Sequence, residues 1–527
     1  MKNIYKISIF ALSALVLVGC VDLDTAPLGS TVTSEQKEEV VAGDPSKAEA
    51  SVTAVTSNFT VYGQIYGNDQ HNDFGYPAIM MFMDSRGEDF VADNVGYNWF
   101  RGSMLFSDCL RTSDVTHMIW GTLYKQIYSA NAVAATIDLE TDDPTLQFYL
   151  AQALAIRAFD YFTLVQLYQF NYVGNENALG VPIITEKNAD IVAAEGCARS
   201  TVKETYDQIY EDINNAIDLL EKSSMKRADK RYVSLDVAYG IRARVNLVTQ
   251  NWAAALSDAT TAISKSSSAP YSLADASKPG FIDIEDRAWM WGVLITDKDR
   301  VSTTGICNFP SHMGSLNYGY ASVGAWRWIN KKLFATIPET DVRRGWFLDG
   351  DGISANLSES FQTYVTEKKI PAYTQVKYAP KGNILNNSEN DNDIPLMRIE
   401  EMYLIKAEAE AMSGNTAGAI TSLESFVQTY RDPSYTCAAT SAEGIQDAIW
   451  NQRRVEFWGE GMAWYDLLRL KKGVNRLGAG FPAAAVFNLA ANDNVLIYAI
   501  PQGEEQYNPL IVNNPEVTRP TPIKDEE

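Results

Sequence analysis

The segments ARVNLVTQNWAAALSDATTAI (243–263) and AEAEAMSGNTAGAITSLESFV (407–427) align with each other and decide the fold class. In this alignment Asn251 falls on Asn415. Each segment predicts a helix, a short turn containing Asn and a second helix, with small residues where two helices approach closely. Helical hairpins of this kind bury their apolar faces only by stacking on neighbouring hairpins, as tetratricopeptide-like repeats do. The pair therefore indicates a helical repeat scaffold.

Further segments carry helical patterns that extend this scaffold. A capping box at Thr201 (sequence TVKE) begins a helix whose apolar residues recur at three- and four-residue steps. Residues 148–168 are apolar on nearly all sides, which is typical of a helix buried between neighbours, and residues 115–139 form another predicted helix. Because Arg157 and Asp160 are three residues apart on the buried helix, we expect them to form a buried pair.

Two regions interrupt the helical pattern. Residues 60–110 are rich in aromatic residues spaced by glycine, and residues 266–394 hold short apolar runs separated by Gly, Pro, Asn, Asp and Ser. Within the second region, AWMWGVLI (288–295) predicts a buried strand, whereas KGNILNNSENDND (381–393) predicts a polar loop. Long irregular insertions on a rigid scaffold are usually functional or mobile. We therefore predict a mostly α fold, a tetratricopeptide-like helical repeat scaffold with long irregular loops and a few short strands, in one domain spanning 41–527.

The N-terminus, MKNIYKISIFALSALVLVGC (1–20), has the pattern of a lipoprotein signal. Two lysines precede a short apolar run that falls below the roughly 20 residues of a membrane span. The ending LVGC looks like a bacterial lipobox, with Cys20 as the lipid attachment site. We predict a signal peptide at 1–19 and a lipidated, polar tether at 20–40. The alternative is an ordinary signal peptide that is cut elsewhere, with Cys20 incidental.

Composition limits the classes of partner. The net charge is −22 over 527 residues, and such an acidic body repels phosphate backbones, so we expect no nucleic-acid partner. Hydrophobic residues make up 46% and charged residues 21% of the chain, which is typical of a globular protein rather than a disordered one. Beyond the signal, no run of 18 apolar residues predicts another membrane span.

The cysteines do not predict a structural metal site. Cys109, Cys197, Cys307 and Cys437 are dispersed, with no CxxC pair and no histidine at ligand spacing. We expect them to be buried small hydrophobic residues, although disulfides are permitted outside the cytoplasm. The segment Asp349-Gly350-Asp351-Gly352 has part of a calcium-loop pattern but lacks the remaining ligands, so no cofactor is predicted.

Catalytic motifs are also missing from the sequence. It contains no HExxH, GxSxG or GxxxxGK[ST] pattern and has only three histidines. Many carboxylates could be nominated for glycoside hydrolysis, but none lies in a recognisable catalytic context. We therefore predict that the protein is not an enzyme.

Several blocks together resemble one known family. The most specific are PLMRIEEMYLIKAEAEAM (395–412) and NQRRVEFWGEGMAWYDLLRLKK (451–472), with further matches at WGTLY (120–124) and NPL (508–510). In family order and over nearly the whole chain, these blocks resemble the SusD/RagB family of outer-membrane nutrient-binding lipoproteins from Bacteroidetes. One departure is Gln452, where the family often has Glu.

The resemblance implies a function at the cell surface. Family members are helical repeat proteins that cap a SusC-like TonB-dependent transporter and capture glycan outside the cell, anchored to the outer membrane by lipid. Peptide-importing relatives also exist, so a RagB-like peptide-binding role is an alternative. The charged residues of the matching blocks are expected to form buried pairs that hold helices together; they are Arg453, Arg454, Glu456, Glu460 and Asp466.

Glycan recognition needs aromatic faces for the C–H faces of sugar rings and planar polar groups for hydroxyls. Two irregular regions offer both, GYNWFR (96–101) and the segment from His312 to Trp328. By regional resemblance to glycan-binding family members, the candidate ligand residues are Tyr97, Asn98, Trp99, Arg101, Tyr320, Trp326 and Trp328.

Each of these aromatic residues has core packing as its alternative. Trp326 and Trp328 share a face only in extended structure, and otherwise they begin the helix that continues as INKKLF. A glycan-degrading enzyme and a scaffold that binds only protein partners are the competing functions.

Lipidation is tested by replacing the predicted attachment site. We expect Cys20→Ser to release the protein from the membrane fraction, because the acyl chains that anchor it require the cysteine thiol. Fractionation followed by mass spectrometry of the mature N-terminus is the measurement. An unmodified N-terminus at another position in the wild-type protein would contradict the lipobox interpretation.

Overall fold

The computed structural model describes residues 34–526, and about half of these residues are helical. The predicted signal peptide, Cys20 and the first part of the tether lie outside the described residues. Residues 34–40, which the sequence placed in the tether, belong to the first helix. Among residues 34–526, no helix combines the length and apolarity that a membrane span requires.

The elements follow one another in a mostly helical order. The α-helices are α1 (Ser34–Gly43), α2 (Glu49–Ser57), α3 (Tyr76–Arg86), α4 (Arg101–Met104), α5 (Asp114–Ala134), α6 (Pro144–Tyr168), α7 (Ala189–Glu195), α8 (Val202–Lys222), α9 (Leu235–Val248), α10 (Trp252–Lys265), α11 (Leu273–Ala276), α12 (Arg300–Thr303), α13 (Phe309–Met313), α14 (Lys331–Thr336), α15 (Glu359–Glu367), α16 (Ile399–Met412), α17 (Thr416–Tyr430), α18 (Ala442–Glu456), α19 (Ala463–Arg469) and α20 (Gln502–Tyr507). The strands are β1 (Phe90–Ala92), β2 (Trp289–Val293), β3 (Arg327–Ile329), β4 (Ile394–Arg398), β5 (Val474–Asn475) and β6 (Asn488–Leu489).

The two aligned segments form matching helical hairpins, as predicted. Helices α9 and α10 make the first hairpin, and α16 and α17 make the second. Asn251 and Asn415 both stand immediately before the second helix, and Asn415 accepts a hydrogen bond from the Gly418 amide at 3.1 Å. Because α16 packs against both α10 and α17, the second hairpin is stacked on the first.

Helix α6 lies at the centre of the first half of the protein. It packs between α5 and α8, and every residue from Leu146 to Tyr168 is buried, which explains why its sequence is apolar on all sides. The predicted capping box is present at the start of α8. There Thr201 Oγ1 accepts from the Glu204 amide at 3.1 Å, and the Glu204 carboxylate accepts from the Thr201 amide at 2.7 Å.

The predicted pairing of Arg157 with Asp160 is wrong. Arg157 donates instead to both carboxylate oxygens of Asp212 on α8, at 2.8 and 2.6 Å, because its side chain extends toward the neighbouring helix. The Asp160 carboxylate is buried without a hydrogen-bond partner. Burial raises the pKa of Asp160 well above its ordinary value, which favours the uncharged form.

The two irregular insertions meet through a short antiparallel ladder. Strand β1 from the first insertion pairs with β3 from the second, with Phe90 opposite Ile329 and Ala92 opposite Arg327. The second insertion contains only short helices, as expected, and its predicted buried strand is β2, which pairs with β4. The first insertion, however, contains helix α3, which the sequence did not predict. All residues of α3 are buried, so it has no polar face to produce a periodic signal.

The expected buried pairs centre on Glu456 at the end of α18. Its carboxylate accepts from Arg431 at 2.7 Å, Arg398 at 3.0 Å and Arg343 at 3.2 Å, and all these side chains are buried. Burial opposes ionisation of Glu456, but the three guanidinium groups outweigh it and hold its pKa well below the ordinary value.

Further pairs extend this network and confirm the expectation for the charged residues of the matching blocks, except that Arg454 is only partly buried. Arg398 also donates to Glu460 at 2.9 Å, and Lys377 donates to Glu460 at 2.6 Å. The remaining two arginines bind carboxylates of other segments, Arg453 to Asp466 at 2.6 Å and Arg454 to Asp89 at 2.9 Å.

The four cysteines of the described residues are free. Cys109 and Cys307 are buried, as expected, whereas Cys197 and Cys437 are only partly buried.

Replacing Glu456 by Gln tests the network. Removing one partner of a buried ion pair leaves uncompensated charge, so Glu456→Gln is expected to lower the free energy of unfolding by about 3–5 kcal/mol at pH 7. Denaturant unfolding is the measurement. Since the native pKa is depressed, the carboxylate stabilises the protein fully above its ordinary pKa of about 4.3, and this contribution is lost as pH falls through the native pKa.

The matched control is Glu367→Gln. Glu367 is exposed at the end of α15, and its substitution is expected to change the free energy of unfolding by less than about 0.5 kcal/mol. If both variants unfolded at the wild-type denaturant concentration, the network would not support the fold.

Candidate ligand-binding site

The β1–β3 ladder brings the two candidate regions together. Residues 93–101 continue from the end of β1, and residues 314–326 lead into the start of β3. Because the two strands are antiparallel, both segments lie at the same end of the ladder. A third segment, 61–75, completes the site. Within this segment, the Asp73 carboxylate accepts hydrogen bonds from the amides of Ile65 at 2.9 Å and Tyr66 at 2.7 Å, which folds the segment into a loop.

Trp99 and Tyr320 meet through a histidine. The His71 ring stacks on the Trp99 ring, with centroids 4.7 Å apart and planes inclined by 21°. His71 Nδ1 is 2.5 Å from the Tyr320 hydroxyl. All three side chains are partly exposed, so they combine contact with one another and contact with solvent. We call these residues, together with the exposed Tyr97, the aromatic face.

A buried layer supports the aromatic face from below. The His312 ring stacks on Tyr320 at 4.5 Å and on Phe74 at 5.6 Å, and its Nε2 is 3.2 Å from the His71 carbonyl oxygen. His312 is fully buried, and burial, together with the nearby Arg327 guanidinium, lowers its pKa well below the ordinary value. Burial also lowers the pKa of His71. Both rings are therefore neutral near pH 7.

Asn98 does not reach the surface with the other candidates. It is buried, its Oδ1 accepts from Arg327 Nη1 at 2.8 Å and its Nδ2 donates to the Asp93 carbonyl oxygen at 2.9 Å. Because Asn98 is buried, its side chain is not at the surface for sugar hydroxyls in the structure described, and its predicted ligand contact stays a prediction. Its amide fixes the loop that carries Trp99, and Arg327 has no carboxylate within 4.0 Å in the described part of the chain.

Tyr97 and Arg101 are exposed, as a ligand site requires. Tyr97 is 43% exposed, and its hydroxyl donates to the Val323 carbonyl oxygen at 3.3 Å, which joins the two candidate loops. A Cβ at Gly324 would lie 1.9 Å from the Tyr97 hydroxyl, so this approach requires glycine. Arg101 Nε donates to Asn94 Oδ1, which orients the guanidinium at the surface.

Trp326 and Trp328 lie in extended structure, not in the helix that follows. Trp328 belongs to β3, and helix α14 starts only at Lys331. Both tryptophans are partly exposed and alternate with buried residues, as one face of an extended segment does. They pack against different apolar clusters, Trp328 on the main core and Trp326 on the cluster around Leu316. The contacts that join Trp99, His71 and Tyr320 include neither of them.

No local sequence pattern marks His71 as a site residue. It stands in the polar stretch NDQHND, within the irregular region 60–110 but outside both candidate segments, and it enters the site through tertiary contacts. Asn72 reinforces them by donating to the Trp99 carbonyl oxygen at 2.8 Å. Only information on contacts between the three loops, which a local sequence pattern does not carry, could have identified His71.

The aromatic face consists of ring surfaces with hydroxyl and imidazole groups at their edges. Among residues 34–526, no three His, Cys, Asp or Glu side chains are grouped to hold a metal ion. The face offers flat apolar surfaces with polar edges, which suits sugar rings. A separate cleft of about 590 Å³ beside Arg157 is lined by aliphatic and mainly acidic side chains, without an aromatic ring on which a sugar could stack.

The chain is similar in sequence to SusD-like proteins. A SusD-like family model described as "Starch-binding associating with outer membrane" matches residues 45–247, and a model of the SusD family matches residues 325–517. The chain is 24% identical over 503 residues to SusD-like protein P2 of Formosa agariphila, covering 89% of this chain and 91% of that protein.

Solved structures share the fold. One is a SusD-like carbohydrate binding protein from Bacteroides vulgatus, with a TM-score of 0.72, 22% identity and coverage of 88% of this chain and 97% of that one. Another is a SusD superfamily protein from Bacteroides thetaiotaomicron, with a TM-score of 0.71, 21% identity and coverage of 89% and 99%. The predicted helical repeat fold is thereby confirmed.

Replacing Asn98 by Ala tests its structural assignment. The change leaves the buried Arg327 Nη1 without its partner, so we expect a loss of about 1–3 kcal/mol in the free energy of unfolding, measured with denaturant. Asn177→Ala, at an exposed asparagine, is the control and should have little effect. An Asn98→Ala protein of wild-type stability that had lost only ligand binding would return Asn98 to the ligand contacts.

Proposed function

Because the chain belongs to the SusD family, we propose that it is a carbohydrate-binding protein that captures oligosaccharide or polysaccharide on its aromatic face. The observation that carries this proposal is the partly exposed stack of Trp99 on His71, with Tyr320 hydrogen-bonded to His71 and the exposed Tyr97 on the same loop as Trp99. Rings held at the surface by neighbours, rather than buried among them, offer the apolar contact that the C–H face of a sugar needs.

The geometry favours binding without extensive rearrangement. Hydrogen bonds fix the loops behind the aromatic rings, from Asn72 to the Trp99 carbonyl and from Asn98 to the Asp93 carbonyl. A site whose side chains are already ordered loses less conformational entropy when ligand binds. Tyr97 and Tyr320 add hydroxyl groups at the edges of the aromatic face.

The family membership also bears on where the protein acts and with which partner. We propose that Cys20 carries lipid, that the protein stands on the outer surface of the outer membrane, and that it delivers glycan to a SusC-like TonB-dependent transporter without cleaving it. The lipobox-like N-terminus supports the anchor, and the family description as associating with the outer membrane supports the location.

Truncating Trp99 tests the site. In Trp99→Ala we expect the affinity for the best oligosaccharide of a combined glycan and peptide array to fall about ten- to hundredfold, because about 1–3 kcal/mol of apolar contact is removed. Isothermal titration calorimetry measures the affinity, and the melting temperature is recorded in parallel. Tyr128→Ala is the control, since Tyr128 is 72% exposed on α5 and belongs to none of the site loops.

The outcomes separate the competing interpretations. A large drop in melting temperature for Trp99→Ala would mean that Trp99 serves the core, and a peptide as the best array ligand would favour a peptide importer. Equal loss of affinity in Tyr128→Ala would argue against a localised site.

The proposed partner and the lack of turnover need separate measurements. We expect an affinity-tagged protein to co-purify with a TonB-dependent barrel from detergent-solubilised outer membranes. We also expect bound oligosaccharide to be recovered intact after incubation with the pure protein. Purification without a barrel would remove the partner from the proposal, and cleavage of the oligosaccharide would make the protein an enzyme.

A further inference from the structure

Two arginines near the aromatic face carry charge that no carboxylate neutralises. Among the described residues, the exposed arginines are Arg101, Arg111, Arg287, Arg300 and Arg519. Arg111 pairs with Glu505 at 3.3 Å and Arg287 with Asp275 at 3.7 Å. Arg101, Arg300 and Arg519 have no carboxylate within 4.0 Å in the described part of the chain, although acidic residues outnumber basic ones by 66 to 44.

Arg101 belongs to one loop of the site, and the side chain of Arg300, which lies on α12, contacts a second loop. Arg101 follows Trp99 by two residues and is oriented by Asn94. Arg300 donates to Asn68 Oδ1 and lies over the Tyr62 ring, with its guanidinium carbon 5.3 Å from the centroid. Asn68 precedes His71 by three residues, so Arg300 is held against the loop that supplies the stacking histidine.

Both guanidinium groups are oriented by a neutral side chain. A guanidinium has five N–H donors, and asparagine occupies only Nε of Arg101 and Nη2 of Arg300. An asparagine oxygen fixes the direction of the group without cancelling its charge. The other donors of both side chains are left for a ligand, and their planar geometry matches carboxylate and sulfate oxygens.

The nearby acidic side chains do not occupy these arginines. Asp299, which adjoins Arg300 in the chain, accepts from the Thr296 amide at 2.7 Å and from its hydroxyl at 3.0 Å. Asp93 adjoins Asn94, and burial raises its pKa. Neither forms an ion pair with Arg101 or Arg300.

We propose that the glycan bound on the aromatic face is anionic, with carboxylate or sulfate groups that Arg101, on the loop of Trp99, and Arg300, held against the loop of His71, bind. This inference rests on the proposed glycan-binding function. The body of the protein, with its net charge of −22, repels polyanions at long range, so the attraction is short-range and confined to the two arginines. Selectivity then depends on the position of the charges along the glycan and not on charge density alone.

The experiment compares chemically matched ligands with the purified full-length protein in detergent. An array of neutral, uronate-containing and sulfated oligosaccharides identifies the tightest ligand, which we expect to be anionic. Carboxyl reduction and desulfation of that ligand then distinguish the two chemical sources of charge. Removing the group that is recognised should weaken binding about tenfold, because two exposed ion pairs are lost.

Charge-removing variants assign the effect to the two arginines. Arg101→Gln and Arg300→Gln should each weaken binding of the anionic ligand about two- to fivefold, and each should weaken binding of the neutralised form by a smaller factor. Arg519→Gln is the matched control, because it removes the same charge from another exposed arginine without a carboxylate partner. It should leave both affinities unchanged.

The failures of the two proposals are distinguishable. A neutral glycan as the tightest ligand, bound through Trp99, would overturn the anionic assignment and leave the glycan site in place. Equal effects of Arg519→Gln and the two site variants would also overturn it. If no oligosaccharide bound, or if Trp99→Ala left binding unchanged, the proposed function itself would fail.

Discussion

The structure depends on the burial of one carboxylate among three guanidinium groups. Arg343 comes from the second insertion, Arg398 from the end of β4 and Arg431 from the end of α17, and all three donate to Glu456. Removing one partner of a buried ion pair is strongly destabilising, and a single misplaced segment would leave one of these groups without its partner. We infer that this requirement fixes the insertion on the repeat scaffold in one arrangement. Apolar packing alone would allow more than one, since aliphatic side chains tolerate repacking.

Residues next to Glu456 in the chain also position the ligand site. Arg454, two residues before Glu456, binds the Asp89 carboxylate, and the Trp458 indole donates to the Asp89 carbonyl oxygen at 2.9 Å. Asp89 immediately precedes β1, whose ladder with β3 sets the two aromatic loops side by side. Two consequences follow for binding. The aromatic face is positioned by rigid elements, and its loops need little further ordering when a ligand arrives.

The features that could be predicted from the sequence are those set by residues close together along the chain. The paired hairpins, the capping box at Thr201 and the buried strand β2 depend on local patterns, and all are present in the structure. Helix α3 was missed because burial on every side removes the periodicity on which prediction relies. At the site, Tyr97 is exposed as predicted, whereas Asn98 is buried and His71 was not among the predicted residues. Both depend on contacts across more than 200 residues, Asn98 with Arg327 and His71 with Tyr320, which no local pattern encodes.

The most direct test of the account is a pair of crystal structures, one of the free protein and one with its tightest oligosaccharide. The account predicts a sugar ring lying against the aromatic face, in contact with Trp99, and site loops whose backbone shifts by less than about 1 Å between the two structures. An oligosaccharide bound elsewhere, for example in the cleft beside Arg157, would contradict the location of the site. A rearrangement of the loop at 93–101 that separated Trp99 from His71 would contradict the preformed face.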